Sequence, residues 1–205
     1  MKDSKKQKTI TIATVNGRAY YYFVTLLRSL GYQHEDLLPW EVSDDSNLLL
    51  TTAREKPPGF KGELLLFEEL NGDEVHDKFE IARKIKAGAA DVLTIGIDPG
   101  GITGVVAIYK GVIIAFRSFD HVGQAVRLVN HTLSLPAKKK VVRIGSGNWR
   151  GKDIANLLLQ TADKDTTIEM VDEGGTSAMA KSGLPKDVVA AMSIAKRKGL
   201  QLIKA

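Results

Sequence analysis

The side chains of this sequence best suited to chemistry are carboxylates at the ends of predicted elements. Asp98 follows an apolar strand predicted at 92–97 and precedes a proline and two glycines. Glycine lets a phosphate or a metal ion approach the backbone closely. Asp187 lies in the first turn of a helix predicted at 185–198, bordering its inward face. Each aspartate also has an ordinary structural interpretation, as a turn residue or as a favourable charge at a helix start, so both interpretations stay open for each one alone.

A further acidic pair follows a strand predicted at 166–171. Asp172 and Glu173 are adjacent there, and strand alternation lets only one of them face a common site. If these strands are neighbours and the last helix crosses them, three carboxylates meet. Their mutual repulsion is unfavourable unless a cation compensates, and hard oxygen ligands select Mg²⁺ or Mn²⁺. Two such ions can bind the attacking and leaving oxygens of a phosphodiester.

The charge distribution favours a polyanionic partner for the second half of the chain. The net charge is +5, but residues 92–205 carry 16 Lys and Arg against 9 Asp and Glu, whereas the first 91 residues carry 13 against 15. A charge excess of this size is also found in proteins where it only maintains solubility, and that interpretation stays open. The candidate nucleic-acid contacts are Lys138, Lys139, Lys140, Arg143, Arg150 and Lys152.

Arg150 and Lys152 are the stronger of these candidates. Both begin a predicted helix beside a loop with two glycines at 145–148, where backbone amides suit phosphate. Trp149 stands at the same helix start. It either stacks on a base or packs at the rim of the fold, and the sequence favours packing.

Composition excludes several classes of protein. The chain has 205 residues, of which 43% are hydrophobic and 26% charged, so it can bury a core. No apolar run is longer than six residues, far short of the roughly 20 that a membrane-spanning helix needs, and we expect no membrane partner. There is no cysteine, which excludes disulfide scaffolds, thiolate metal sites and cysteine nucleophiles. We expect a cytoplasmic protein; a homodimer is one option for its oligomeric state.

The order of predicted elements indicates two α/β domains, 1–90 and 91–205. The first alternates strands and helices, as in flavodoxin-like or Rossmann-like layers, with no G-x-G-x-x-G after its first strand, so we expect no NAD or FAD. The second begins with three strands joined by tight glycine turns, an antiparallel meander. Helices and strands then alternate, giving the order βββαβαβα.

The second domain resembles the ribonuclease H-like superfamily, in its RuvC and YqgF branch of Holliday-junction resolvase-like proteins. The resemblance covers about residues 91–205 in the expected order and is carried by IGIDPG with GITGVVAIYKGVIIAF, VVRIGSGNWRGKDIANLLL, VDEGGTS and KDVVAAMSIAKRKG. It implies a five-stranded mixed sheet of order 3-2-1-4-5, with strand two antiparallel to the rest. It further implies that Asp98, Glu173 and Asp187 are metal-binding catalytic residues of a Mg²⁺- or Mn²⁺-dependent nuclease acting on structured DNA or RNA.

The sequence departs from the RuvC pattern at two places. The fourth strand, at 141–145, has no acid, and Ala190 and Ala191 stand where the last helix of RuvC carries a second aspartate. The YqgF pattern fits better. These departures favour an alternative, a non-catalytic nucleic-acid-binding module with the same fold. A third interpretation, an actin-like or Hsp70-like ATPase, starts from the glycine hairpin, but the domain is too short for the paired domains of those proteins.

Overall fold

The computed structural model describes residues 9–43, 48–172 and 183–202. The chain divides into two compact units, Met1–Gly88 and Ala89–Ala205. Both are α/β, as the sequence predicts. Within the described ranges, no helix is long and apolar enough to cross a membrane.

The first unit is a parallel four-stranded sheet with two helices. Its elements are β1 (Ile10–Ala13), α1 (Gly17–Ser29), β2 (Glu35–Leu37), β3 (Leu48–Thr51), β4 (Glu63–Leu66) and α2 (Glu74–Ile85). The strand order is β2-β1-β3-β4, and every pair is parallel. The second strand ends at Leu37, because Pro39 begins a short 3₁₀ turn over Pro39–Glu41.

The second unit contains the larger sheet and the acids of interest. Its elements are β5 (Val92–Pro99), β6 (Thr103–Tyr109), β7 (Val112–Phe119), α3 (Val122–Leu133), β8 (Lys139–Gly145), α4 (Trp149–Thr161), β9 (Thr166–Val171), α5 (Lys186–Lys196) and β10 (Leu200–Leu202). The strand order is β10-β9-β8-β5-β6-β7. The strand β5 therefore lies inside the sheet, parallel to β8 and antiparallel to β6.

The sheet of the second unit has six strands, so the expectation of five was wrong. The sixth, β10, pairs antiparallel with β9, so β6 is not the only strand that runs against the others. No clear sequence signal marks β10, because it has only three residues and two of them are exposed. Its pairing follows from where α5 ends, which places the returning chain beside the free edge of β9.

Helices cover both faces of this sheet. Along β5, Gly96 faces α5, since a β-carbon there would stand 2.1 Å from the carbonyl oxygen of Ala191. The alternate residues Leu93, Ile95 and Ile97 point to the other face and are fully buried. The helices α3 and α4 contact each other and the strands, with α4 against β5, β8 and β9. Because both faces of β5 are covered, its sequence at 92–97 is mostly apolar and does not alternate between apolar and polar residues.

Candidate active site

A row of three residues crosses β5, β6 and β7 near the carboxyl end of β5. Asp98 is paired with Gly104, and Gly104 is paired with Ser118. Residues directly opposite each other in antiparallel strands point to the same face, about 4.5–5.5 Å apart. Asp98 also lies two residues beyond Gly96, on the face that α5 covers. The side chains of Asp98 and Ser118 therefore share that face, with a gap at Gly104 between them.

The helix α5 fills the gap at Gly104. A β-carbon at Gly104 would stand 2.2 Å from the carbonyl oxygen of Asp187, so the first turn of α5 rests on the backbone of β6. The Ser118 hydroxyl donates a hydrogen bond to Oδ2 of Asp187. Both Asp98 and Asp187 are partly exposed. The structure thus brings two of the expected acids, from distant parts of the chain, to one side of the sheet with a hydroxyl beside them.

The third expected acid, Glu173, lies outside the described residues. Its neighbour Asp172 is exposed, and its carbonyl oxygen accepts a hydrogen bond of 3.1 Å from Arg197. In the ranges that the structure describes, no group of three or more His, Asp or Glu is arranged to hold a metal ion. The donor set that is described consists of two carboxylates and a hydroxyl. These hard oxygen ligands fit Mg²⁺ or Mn²⁺ and do not fit a soft metal.

The guanidinium of Arg143 forms hydrogen bonds inside the fold. It is largely shielded from solvent, whereas we expected it to contact nucleic acid. It lies on β8 between Gly96 and Glu169 in register, with Nε 2.8 Å from Oε2 of Glu169 and NH1 2.5 Å from the carbonyl oxygen of Ala195. The side chains of Arg143 and Glu169 are each only 16% exposed. This pair ties the last turn of α5 to β8 and β9.

The electrostatics of Glu169 follow from this pair. Partial burial opposes ionisation of its carboxyl group. The hydrogen bond from Arg143, a second one of 3.2 Å from the amide of Gly199, and the nearby positive charges outweigh that effect and hold the pKa of Glu169 below its usual value. The carboxylate therefore stays charged and paired at neutral pH.

Arg150 and Trp149 form a short chain of contacts beside the acids. One guanidinium nitrogen of Arg150 donates to the carbonyl oxygens of Gly100 and Gly101, at 3.0 and 2.7 Å. Its guanidinium carbon lies 5.8 Å from the ring centre of Trp149, a cation–π contact. Arg150 therefore braces the turn that follows Asp98. The Trp149 side chain is 69% exposed, which contradicts our expectation that it packs at the rim of the fold.

The lysine candidates separate into two places. Lys152 is exposed near the start of α4, at the end of the sheet where Asp98 lies. Lys139 pairs with Val92, at the opposite, amino end of β5. Lys138 and Lys139 are exposed there, and the Lys140 ammonium donates to the carbonyl oxygen of Leu133 at 2.6 Å. Six strand residues, about 20 Å, separate this lysine cluster from the acids.

Sequence reasoning missed Gly104 and Ser118. A signal for Gly104 was present in the meander, because counting back from its first turn places Gly104 opposite Asp98. Counting back from the second turn places Arg117 opposite Gly104, and the register shift between Ala107 and Ile108 brings Ser118 there instead, so no local signal could have identified Ser118. A glycine beside a candidate catalytic acid is a mark of close backbone approach.

Comparisons with known proteins supply no relative. No protein-family model matches the chain, no curated protein matches it significantly, and no solved structure matches its fold significantly.

Proposed function

We propose that this protein is a divalent-metal-dependent endonuclease of the ribonuclease H-like class, acting on structured or branched nucleic acid in the cytoplasm. One observation carries the proposal. Asp98, on the central strand, lies opposite Gly104, and the backbone of Asp187, in the first turn of α5, rests on Gly104 on the same face of the sheet. Neighbouring carboxylates repel each other, and a divalent cation bound by both would offset that repulsion.

The order of the strands supports this proposal. Numbered within the second unit, β7-β6-β5-β8-β9 runs 3-2-1-4-5, the order that the sequence resemblance implies, and β10 extends the sheet at one edge. The strand that carries Asp98 is central, with parallel and antiparallel neighbours. A helix from the end of the chain then crosses the face on which Asp98 lies.

The roles of the residues follow from their positions. Asp98 and Asp187, with Glu173 as the third expected ligand, would hold Mg²⁺ or Mn²⁺. When bound, such an ion supplies Lewis acidity to the phosphoryl group and to water. Lys152 would bind a flanking phosphate, which positions the backbone without reading its sequence. The exposed ring of Trp149, braced through Arg150 to the turn after Asp98, offers a surface on which an unpaired base can stack.

A second candidate function is a nucleic-acid-binding module without catalysis. The strand β8 favours it. On the face of the acids β8 presents Arg143, which is paired with Glu169, and β8 has no carboxylate of its own to add to Asp98 and Asp187. Such a protein would bind through Lys152 and Trp149 and leave the phosphodiester intact.

Cleavage assays with four-way junction, flap and linear DNA and RNA in Mn²⁺ test the proposal. The variants are Asp98→Asn and Asp187→Asn, with Asp153→Asn, an exposed residue of α4, as the charge-matched control. We expect cleavage by the wild type and the control and at least a hundredfold loss in the two site variants. Binding without cleavage in the wild type would establish the module instead. A wild type that neither binds nor cleaves any of these substrates would refute both functions.

A further inference from the structure

We propose that Ser118 is a positioning residue, which holds the carboxylate of Asp187 in place beside Asp98 for metal binding. This inference rests on the proposed function and deepens it. It concerns a residue that no motif of the sequence marks and that lies on β7, two strands away from Asp98.

The geometry of the sheet brings Ser118 to this position. Ser118, Gly104 and Asp98 stand opposite one another across β7, β6 and β5, so the side chains of Ser118 and Asp98 point to one face with two strand spacings between them. The middle position has no side chain. The backbone of Asp187 occupies that space, and its carboxylate accepts a hydrogen bond from the Ser118 hydroxyl on the same face that carries Asp98.

The hydrogen bond from Ser118 to Asp187 fixes the direction of the carboxylate. An aspartate in the first turn of a helix has rotatable side-chain bonds. A hydrogen bond to one carboxylate oxygen limits this rotation and is of the strong, charge-assisted kind. An ionised carboxylate has about four acceptor positions, so the bond to Ser118 leaves positions for a cation.

Ser118 is exposed on β7, an edge strand of the sheet, where a polar side chain is common and serine has a lower strand propensity than threonine or valine. Its hydroxyl is not required to satisfy a buried group. The hydrogen bond to Asp187 is what a hydroxyl at this position adds beyond a polar surface.

Titration of the purified full-length protein with MnCl₂ in a calorimeter tests this role. The variants are Ser118→Ala, which removes the hydroxyl, and Ser118→Thr, which keeps it. Ser193→Ala is the matched control, because the Ser193 hydroxyl bonds to the carbonyl oxygen of Val189 within α5 itself. We expect Ser118→Ala to weaken Mn²⁺ binding about tenfold or more, as loss of a residue that orients a metal ligand does. Ser118→Thr and Ser193→Ala should bind within about twofold of wild type.

Two further measurements separate positioning from a general effect on folding. The melting temperature without metal should be nearly equal in Ser118→Ala and Ser118→Thr. In cleavage assays, Ser118→Ala should need more Mn²⁺ for half-maximal rate, while its affinity for nucleic acid without divalent ions stays unchanged. If Ser118→Ala binds Mn²⁺ with wild-type affinity, or if Ser118→Thr binds it as weakly as Ser118→Ala, the role of Ser118 is wrong while the proposed function stands. A wild type that binds no Mn²⁺ would overturn the proposed function and this inference with it.

Discussion

The carbonyl oxygen of Asp187 lies where a side chain at position 104 would begin, 2.2 Å from the ideal β-carbon of Gly104. Real β-carbons do not approach a backbone oxygen so closely, so α5 holds its position only because residue 104 is glycine. The same strand register places Gly104 opposite Asp98. In this fold, the docking of the first turn of α5 and the position of Asp187 both depend on Gly104, as the docking of its later turns depends on Gly96.

Replacement of Gly104 by alanine should disturb both the packing of α5 on β6 and the binding of a metal ion at Asp98 and Asp187. The new β-carbon forces α5 away from β6, and overpacking of this kind lowers the free energy of unfolding by about 1–3 kcal/mol. Urea unfolding followed by circular dichroism measures this loss, and the stabilisation of the variant by Mn²⁺ should fall as well. Gly123→Ala is the control, because nothing lies within 4 Å of its β-carbon position and it is in the first turn of α3. If Gly104→Ala is as stable as Gly123→Ala, α5 does not dock as described.

Much of the second unit could be predicted from local sequence. Tight glycine turns marked the β5–β7 meander, and the apolar segment at 92–97 marked β5, because these signals depend on a few neighbouring residues. The position of Asp98 at the end of β5 followed directly. The three-residue strand β10 has no comparable local signal, since its pairing is decided by the neighbouring edge of β9.

Side-chain partners were harder to predict than elements. Arg143 and Arg150 were both candidate nucleic-acid contacts, Arg150 the stronger, and in the structure Arg143 pairs with Glu169 while Arg150 donates to two carbonyl oxygens of the turn after Asp98. Such partners lie 26 to 50 residues away along the chain. Only the tertiary structure decides whether a basic side chain faces solvent or an internal acceptor. The number of basic residues in the sequence therefore overestimates how many of them are available near the acids.

The ion pair of Arg143 and Glu169 should make stability depend on pH. The pKa of Glu169 is below its usual value in the folded protein, so its contribution to stability is complete above the ordinary glutamate pKa of about 4.3 and is lost as the pH falls through the lower, folded value. Glu169→Gln should therefore lower the free energy of unfolding by about 1–3 kcal/mol at pH 7. The difference from wild type should shrink in urea titrations as the pH falls below 4.3.

Asp153→Asn again serves as the control for this change, because it removes one negative charge from an exposed position of the same unit. It should alter stability by less than about 0.5 kcal/mol at either pH. A Glu169→Gln variant with wild-type stability at pH 7, or with a deficit that does not change with pH, would show that the pair with Arg143 contributes little.

Trp149 should contribute to binding of substrates with unpaired bases. Stacking of a base on an aromatic ring contributes about 1–3 kcal/mol, so Trp149→Ala should weaken binding of a flap or junction between about fivefold and a hundredfold. Fluorescence anisotropy with labelled oligonucleotides measures this, and a blunt linear duplex should show a smaller loss. Trp40→Ala is the matched control, because Trp40 is 73% exposed in the first unit. Equal losses for the duplex and the flap would rule out stacking on an unpaired base.

The end of the sheet that contacts nucleic acid can be identified from the salt dependence of binding. Each phosphate contact contributes about one unit to the slope of log K against log salt concentration. If the substrate lies over Asp98 and Asp187, Lys152→Ala should reduce this slope by about one, because Lys152 is exposed near the start of α4, at the end of the sheet where Asp98 lies. Lys138→Ala removes an equal charge from the amino end of β5, about 20 Å away.

That separation exceeds the Debye length of about 8 Å at physiological ionic strength, so Lys138→Ala should leave the slope unchanged for a short substrate bound at the acids. The comparison therefore distinguishes two binding modes with one measurement. A slope that responds to Lys138 and not to Lys152 would place the nucleic acid at the amino end of β5. The phosphodiester would then lie too far from Asp98 and Asp187 for cleavage, and these acids would need another role.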